Sequence, residues 1–192
     1  MRTADTYPSR PPTEVCWEDI PHGDHSVQIY SDAQSFLDAL EGFASGGLRA
    51  GEGVIVIGSE AHRQALERKL ARRGYNLEQA KLANRYVAID AQSTLAEFMV
   101  GGRVDRARFD ACMTELLVRV GANGRRIRAF GEMVALLWEQ GNPAATIELE
   151  TLWNDFCARM ELCLFCAYPR NAFSDENGVQ TICSHHSRII PD

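Results

Sequence analysis

The run RIRAFGEMVALLWEQGNPAATIELETLWNDFCARMELCLFCAYPR, from Arg126 to Arg170, decides the fold class. Its opening, Arg128-Ala-Phe130, reads as a buried strand that turns at Gly131-Glu132 into a helix. From Met133 to Trp138 the residues are apolar on almost every side, so that helix is expected between two layers rather than on a surface. Gly141-Asn-Pro143 breaks it, and Pro143 suits the first turn of a second helix, where its missing N–H costs nothing. That helix is predicted to run to about Met160: Leu149, Leu152, Trp153, Phe156 and Met160 recur at three- and four-residue steps, while Glu148, Thr151, Asp155 and Arg159 hold the other side. From Leu162 the pattern becomes continuous, LCLFCAY, closed by Pro169, as expected of a strand buried on both faces in a parallel sheet. Glu132 has two readings. It is an anion at the positive end of a helix, stabilised there by about 0.3–1 kcal/mol, or a carboxylate facing a ligand.

Working outward, 192 residues suit one domain with a full core. The reading is a Pro-rich lead-in over residues 1–21, with Val15, Cys16 and Trp17 docking on the body, and a single domain over 22–192. A net charge of −6, with lysine only at positions 69 and 81, argues against a nucleic-acid surface. Six cysteines in a chain of this length fit reduced core thiols and a cytoplasmic protein. No apolar run approaches the roughly 18 residues of a membrane span, so no membrane partner is expected.

Before the central stretch, Ser26–Tyr30 reads as a strand, with Ser31-Asp32 capping a helix that carries Phe36, Leu37, Leu40 and Phe43 and is expected to end at Gly46-Gly47. Val54–Ile57 is a second buried strand, followed by a helix capped by Ser59 and closed by Gly74. Tyr86–Asp90 is a third strand, and Asp105 opens a long helix stopped by Gly121 and Gly124. After the central stretch, Val179, Ile182, Cys183, His186 and Ile190 fall on one helical face, and a strand ending at Arg188-Ile-Ile190 is the alternative. Alternating strands and helices with short links give an α/β fold with a mainly parallel sheet covered on both faces. Ligands in such sheets bind beyond the carboxyl ends of the strands, which selects Tyr30, Ser31, Ser59 with Glu60, Asp90, Glu132 and Tyr168. Trp138 and Trp153 are further candidate aromatic walls of that crevice.

The motifs that would mark an enzyme are missing. The first strand is followed by Ser31-Asp-Ala-Gln-Ser-Phe36, without the glycines and lysine of a phosphate loop. Neither G-x-G-x-x-G nor G-x-S-x-G occurs, and the five histidines suggest no triad. No catalytic residue and no cofactor is expected. Cys163-x-x-Cys166 with Cys183-x-x-His186 resembles a zinc set, but residues three apart in a flat strand face opposite sides, so core thiols without zinc are the expectation.

The chain resembles the MEDS family, the sensory domain of dichloromethane-responsive regulators and of methanogen and methylotroph signalling proteins. The resemblance spans roughly His25 to Ile190. It is carried by His25-Ser-Val-Gln-Ile-Tyr30, Gly47-Leu-Arg-Ala-Gly-Glu52, Tyr86-Val-Ala-Ile-Asp90-Ala, Arg128-Ala-Phe-Gly-Glu-Met133, Leu149-Glu-x-Leu-Trp-Asn154, Cys166-Ala-Tyr-Pro169 and Cys183-x-x-His186. It implies a RecA/KaiC-like three-layer core that has lost its phosphate loop, and a non-enzymatic role in sensing small, mostly apolar hydrocarbon-derived ligands. Family members are often fused to DNA-binding or kinase domains, for which this chain has no room. Signalling through a separate protein is therefore expected. An interaction scaffold with a degenerate ATPase-like fold and no small ligand is the alternative.

Overall fold

The computed structural model describes residues 15, 17, 20, 21, 23–122 and 124–192. Most of the lead-in, with Cys16 and His22, lies outside them. The elements are β1 (His25–Tyr30), α1 (Ala33–Arg49), β2 (Gly53–Gly58), α2 (Glu60–Arg72), α3 (Leu77–Leu82), β3 (Tyr86–Asp90), α4 (Ala91–Phe98), β4 (Met99–Val100), β5 (Arg103–Val104), α5 (Arg106–Val120), β6 (Ile127–Gly131), α6 (Met133–Glu139), α7 (Pro143–Met160), β7 (Cys163–Pro169), α8 (Glu176–Ser184) and β8 (Arg188–Ile190). Among the described residues no helix is long and apolar enough to cross a membrane.

Six strands form one sheet in the order β3-β2-β6-β7-β1-β8, and every pairing within it is parallel. Two apolar cores flank it. One joins Phe36, Leu40 and Phe43 of α1, Leu66 and Leu70 of α2 and Leu77 of α3 to the sheet residues Val54, Val56, Phe130 and Phe165. The other joins α4 to α8 to Ile55, Ile57, Ala129, Leu164 and Cys166. Alternation along β2, β6 and β7 therefore sends consecutive side chains into different layers, and both must be apolar.

The local signals act as the sequence suggests at most ends. Asp32, Ser59, Asn76, Asp90, Asp105, Asn142 and Asp175 each accept a backbone N–H from the first turn of the following helix. The expected stop at Gly46-Gly47 is not one: α1 runs through both glycines to Arg49. These glycines serve close approach instead. A Cβ on Gly46 would lie 2.7 Å from the Trp17 carbonyl oxygen, and one on Gly47 would lie 2.9 Å from Cδ of Arg128. Val15 and Trp17 are half-buried on the body, with the Trp17 ring against Phe43 and Phe165. The chain's end follows the alternative reading, α8 giving way to the edge strand β8, which pairs with β1. The β4–β5 hairpin escapes the sequence reading; it turns on Gly101 and Gly102, both at positive φ.

Beneath α1, Arg128 is fully buried and pairs through Nε with Glu52, itself buried. Its guanidinium also donates to the carbonyls of Trp17 and Phe43 and lies over the Phe43 ring. Arg126 reaches the other Glu52 oxygen at 3.3 Å.

Candidate functional site

At the carboxyl edge of the sheet, Glu132 follows β6 directly. Its backbone N–H continues the ladder to the carbonyl of Ile57 at 2.9 Å. Its side chain does not cap α6. One carboxylate oxygen accepts the Ser59 N–H at 2.7 Å, and the other lies 2.9 Å from Nδ1 of His62. The carboxylate thus serves the first turn of α2, not its own helix. The hydrogen bond to Glu132 raises the His62 pKa above its ordinary value, against the opposing effect of burial.

An aromatic row continues from this pair. The Phe36 ring meets His62 edge-on at 4.9 Å, and Tyr30 stacks on Phe36 at 4.7 Å. Burial, with Glu132 nearby, pushes the Tyr30 phenol up to about 12. On the other side, Arg63 donates from Nε to the Gly58 carbonyl at 3.0 Å and lies 3.6 Å from Asp90, tying the ends of β2 and β3 together. Asp90 is held below the usual carboxylate range chiefly by the Ser93 backbone amide that it caps. Ser31 is exposed and donates its N–H to the Asp192 carboxylate at 2.7 Å, so the start of α1 carries the carboxylates of Asp32 and Asp192. Glu60 is exposed and accepts from Gln64.

Tyr30, Ser59, Asp90 and Glu132 therefore gather at one edge, with Ser31 close to Tyr30. The larger aromatics do not join them. Trp153 is 1% exposed in the core, edge-on to Phe109 at 4.9 Å. Trp138 packs on Phe173 at 4.9 Å and donates to the Ala172 carbonyl, beneath the turn after β7. Tyr168 is fully buried and donates its hydroxyl to Glu150. An open groove of about 680 Å³ lies elsewhere, along α1 between Trp17 and Ile190.

The Tyr168 bond leads into a second polar constellation, inside the α4–α8 layer. His25 on β1, Glu150 on α7, Cys166 on β7 and His186 after α8 bring one donor atom each to within 4.8 Å of one another. His25 Nε2 lies 3.4 Å from Cys166 Sγ and 3.4 Å from a Glu150 oxygen, and His186 Nε2 lies 3.5 Å from the other oxygen. Burial pushes the Glu150 carboxyl up to about 8, against the Tyr168 hydrogen bond, and pulls His25 down to about 4 and His186 to about 2. Without a bound cation the cluster is thus neutral rather than an ion pair. The sequence motif Cys163-x-x-Cys166 with Cys183-x-x-His186 contributes only two of these four. Cys163 faces the α1–α3 layer and contacts the Pro21 carbonyl, as opposite-face geometry requires.

The fold is similar to that of solved RecA/KaiC-like proteins. The flagellar accessory protein FlaH from Methanocaldococcus jannaschii superposes with a TM-score of 0.62 at 13% identity, over 90% of this chain and 72% of that one. A KaiC-like protein from Pyrococcus horikoshii superposes with a TM-score of 0.59 at 13% identity, over 89% and 73%. At such identity the likeness shows a RecA/KaiC-like fold and nothing more. Residues 24–186 match the model of the MEDS family, the methanogen/methylotroph, DcmR sensory domain, and the chain belongs to that family. No curated protein sequence matches it.

Proposed function

We propose that this chain is a non-enzymatic sensory module that takes a small, mostly apolar ligand at the carboxyl edge of its sheet and signals through a separate protein. Membership of a sensory-domain family supports the first half. The observation that carries the second is the Glu132–His62 pair, still partly open to solvent and set against the Tyr30–Phe36 stack. On this reading a small apolar body packs against the open side of the half-buried Tyr30 ring, and the carboxylate and imidazole fix a single polar atom, the usual division of labour in a ligand site. Nucleotide hydrolysis has poor support. Phosphoryl transfer depends on positioned cations, and the start of α1 presents the carboxylates of Asp32 and Asp192.

The scaffold reading draws on a different observation, that Trp138, Trp153 and Tyr168 fill interior space rather than line a crevice. Titration separates the two. Dichloromethane and short-chain alcohols are expected to raise the melting temperature of the unmutated protein, and Tyr30→Ala or Glu132→Gln to weaken that response with the fold retained. A panel of such compounds that leaves the melting temperature unchanged favours the scaffold.

A further inference from the structure

The hydrogen bonds around the buried cluster fix where each proton sits. Asn154 donates its amide to the His185 carbonyl at 2.8 Å, so its Oδ1 is the atom facing His25 Nδ1, also at 2.8 Å. His25 Nδ1 must then carry the proton, and Nε2 presents a lone pair. His186 Nδ1 lies 2.8 Å from the Ile182 carbonyl, which can only accept. Its Nε2 therefore presents a lone pair as well, and that atom has no hydrogen-bond partner among the described residues. The Glu150 Oε2 atom is likewise buried without a partner, while Oε1 is held by the Tyr168 hydroxyl. Two imidazole lone pairs, a carboxylate and a thiol thus converge in a fully buried space. Apart from the Cys166 and Glu150 hydrogens, which a metal ion would displace, all that faces inward is an acceptor.

We propose that His25, Glu150, Cys166 and His186 form a closed four-ligand site for a divalent transition ion, zinc in the first instance. Tetrahedral zinc with bonds of about 2.0–2.3 Å has ligand–ligand edges of about 3.3–3.6 Å. Three separations, 3.4, 3.4 and 3.5 Å, already fall in that range, the two to Glu150 through different oxygens, and the rest, all within 4.8 Å, close by small side-chain shifts around the ion. Charge balances too. A dication with one thiolate, one carboxylate and two neutral imidazoles sums to zero, which suits a site this deeply buried. Asn154 and the Ile182 carbonyl orient the imidazoles and Tyr168 orients the carboxylate, as outer partners of metal ligands do. With no ligand position left for water, the ion is structural or regulatory rather than catalytic. It ties the segment after α8 to β1, α7 and β7.

The test is direct on the unmutated full chain. Purified from zinc-supplemented cells, it is expected to hold one equivalent of zinc by elemental analysis. Exchanged into cobalt(II), it is expected to show tetrahedral d–d bands with a near-ultraviolet thiolate-to-cobalt charge-transfer band. Cys166→Ser is expected to abolish that band, and His186→Gln to weaken cobalt binding beyond the roughly 10–100-fold that loss of an outer partner causes. Cys163→Ser, changed on the other face of the same strand, should leave band and affinity unaltered. Absence of both stoichiometric zinc and the charge-transfer band in the unmutated protein overturns the proposal whatever the variants do. So does metal that binds with no thiolate band, or a band that survives Cys166→Ser and is lost with Cys163→Ser.

Discussion

Replacing Glu132 with Gln keeps the shape of the side chain and removes its charge, and the two hydrogen bonds it receives set the size of the effect. The Ser59 amide would meet the Gln carbonyl in place of a carboxylate, exchanging a bond to a charged group, about 1.5–3 kcal/mol net, for a neutral one of about 0.5–1.5 kcal/mol. The Gln amide would then face His62 Nδ1. A neutral imidazole can turn a lone pair towards it, whereas an imidazolium presents N–H against N–H. The loss should therefore be about 1 kcal/mol where His62 is neutral and about 2–3 kcal/mol where it is charged. The sign follows from the raised pKa of His62 in the fold. Its partner's contribution is full below the unfolded imidazole value of about 6.5 and fades as pH rises through the folded value. Urea unfolding near about pH 5.5 and about pH 8.5 measures both cases, and His62→Gln should erase the difference between them. Equal losses at the two pH values would refute the coupling of Glu132 to a protonated His62.

Arg128→Met should destabilise by about 3–5 kcal/mol, because it strands the buried Glu52 carboxylate; retention of Arg126 at 3.3 Å places the expectation at the lower end. A denaturation midpoint shifted by less than about 1 kcal/mol would mean that the layer relaxes around the lost cation. Millimolar ATP with magnesium should shift neither the melting temperature nor the phosphate released over time, and a clear shift that grows in an Asp32→Asn variant would show the start of α1 to be a phosphate site after all. Among the described cysteines, the half-buried Cys112 and Cys183 should react first with a thiol reagent, while the buried Cys157, Cys163 and Cys166 wait for unfolding, since burial closes access to them. Early labelling of Cys163 by mass mapping would contradict this order.

The sheet was legible because its strands announce themselves locally. Val54–Ile57 and Leu162–Tyr168 are apolar on every residue, which only a doubly covered parallel strand tolerates. Glu132 was legible for the converse reason, a carboxylate where the surroundings are apolar. Its partner His62 was not. It sits in Glu-Ala-His-Arg-Gln, a polar start of helix that reads as solvent-facing, and its ring position depends on β6 lying beside β2. The buried cluster was hidden more thoroughly. Glu150 stands beside Leu149 in a helix whose charges read as one solvated side, yet α7 is covered widely enough to bury Thr146 and Glu150 completely. His25, Glu150, Cys166 and His186 are far apart in sequence, and the register of β1 against β7 brings the first and third together. One signal was available: all four, with Asn154 and Tyr168, fall within the stretches that carry the family resemblance.

The position of β1 also dictates how the molecule can assemble. Among the described residues it is the first strand in chain order, yet its neighbours in the sheet are β7 and β8, the last two. Strand β2 can pair with β3 and with β6 as soon as each exists, and β1 pairs with none of the three. It must wait, with both edges open, until almost the whole chain is available, and then close two ladders spanning most of the chain's length. Folding is thus expected to divide into an early half-sheet and a late insertion of the first strand between the final two. During that wait Val27 and Ile29 are exposed to any other edge in reach, and the vulnerability of this protein to misassembly is greatest before β7 and β8 arrive.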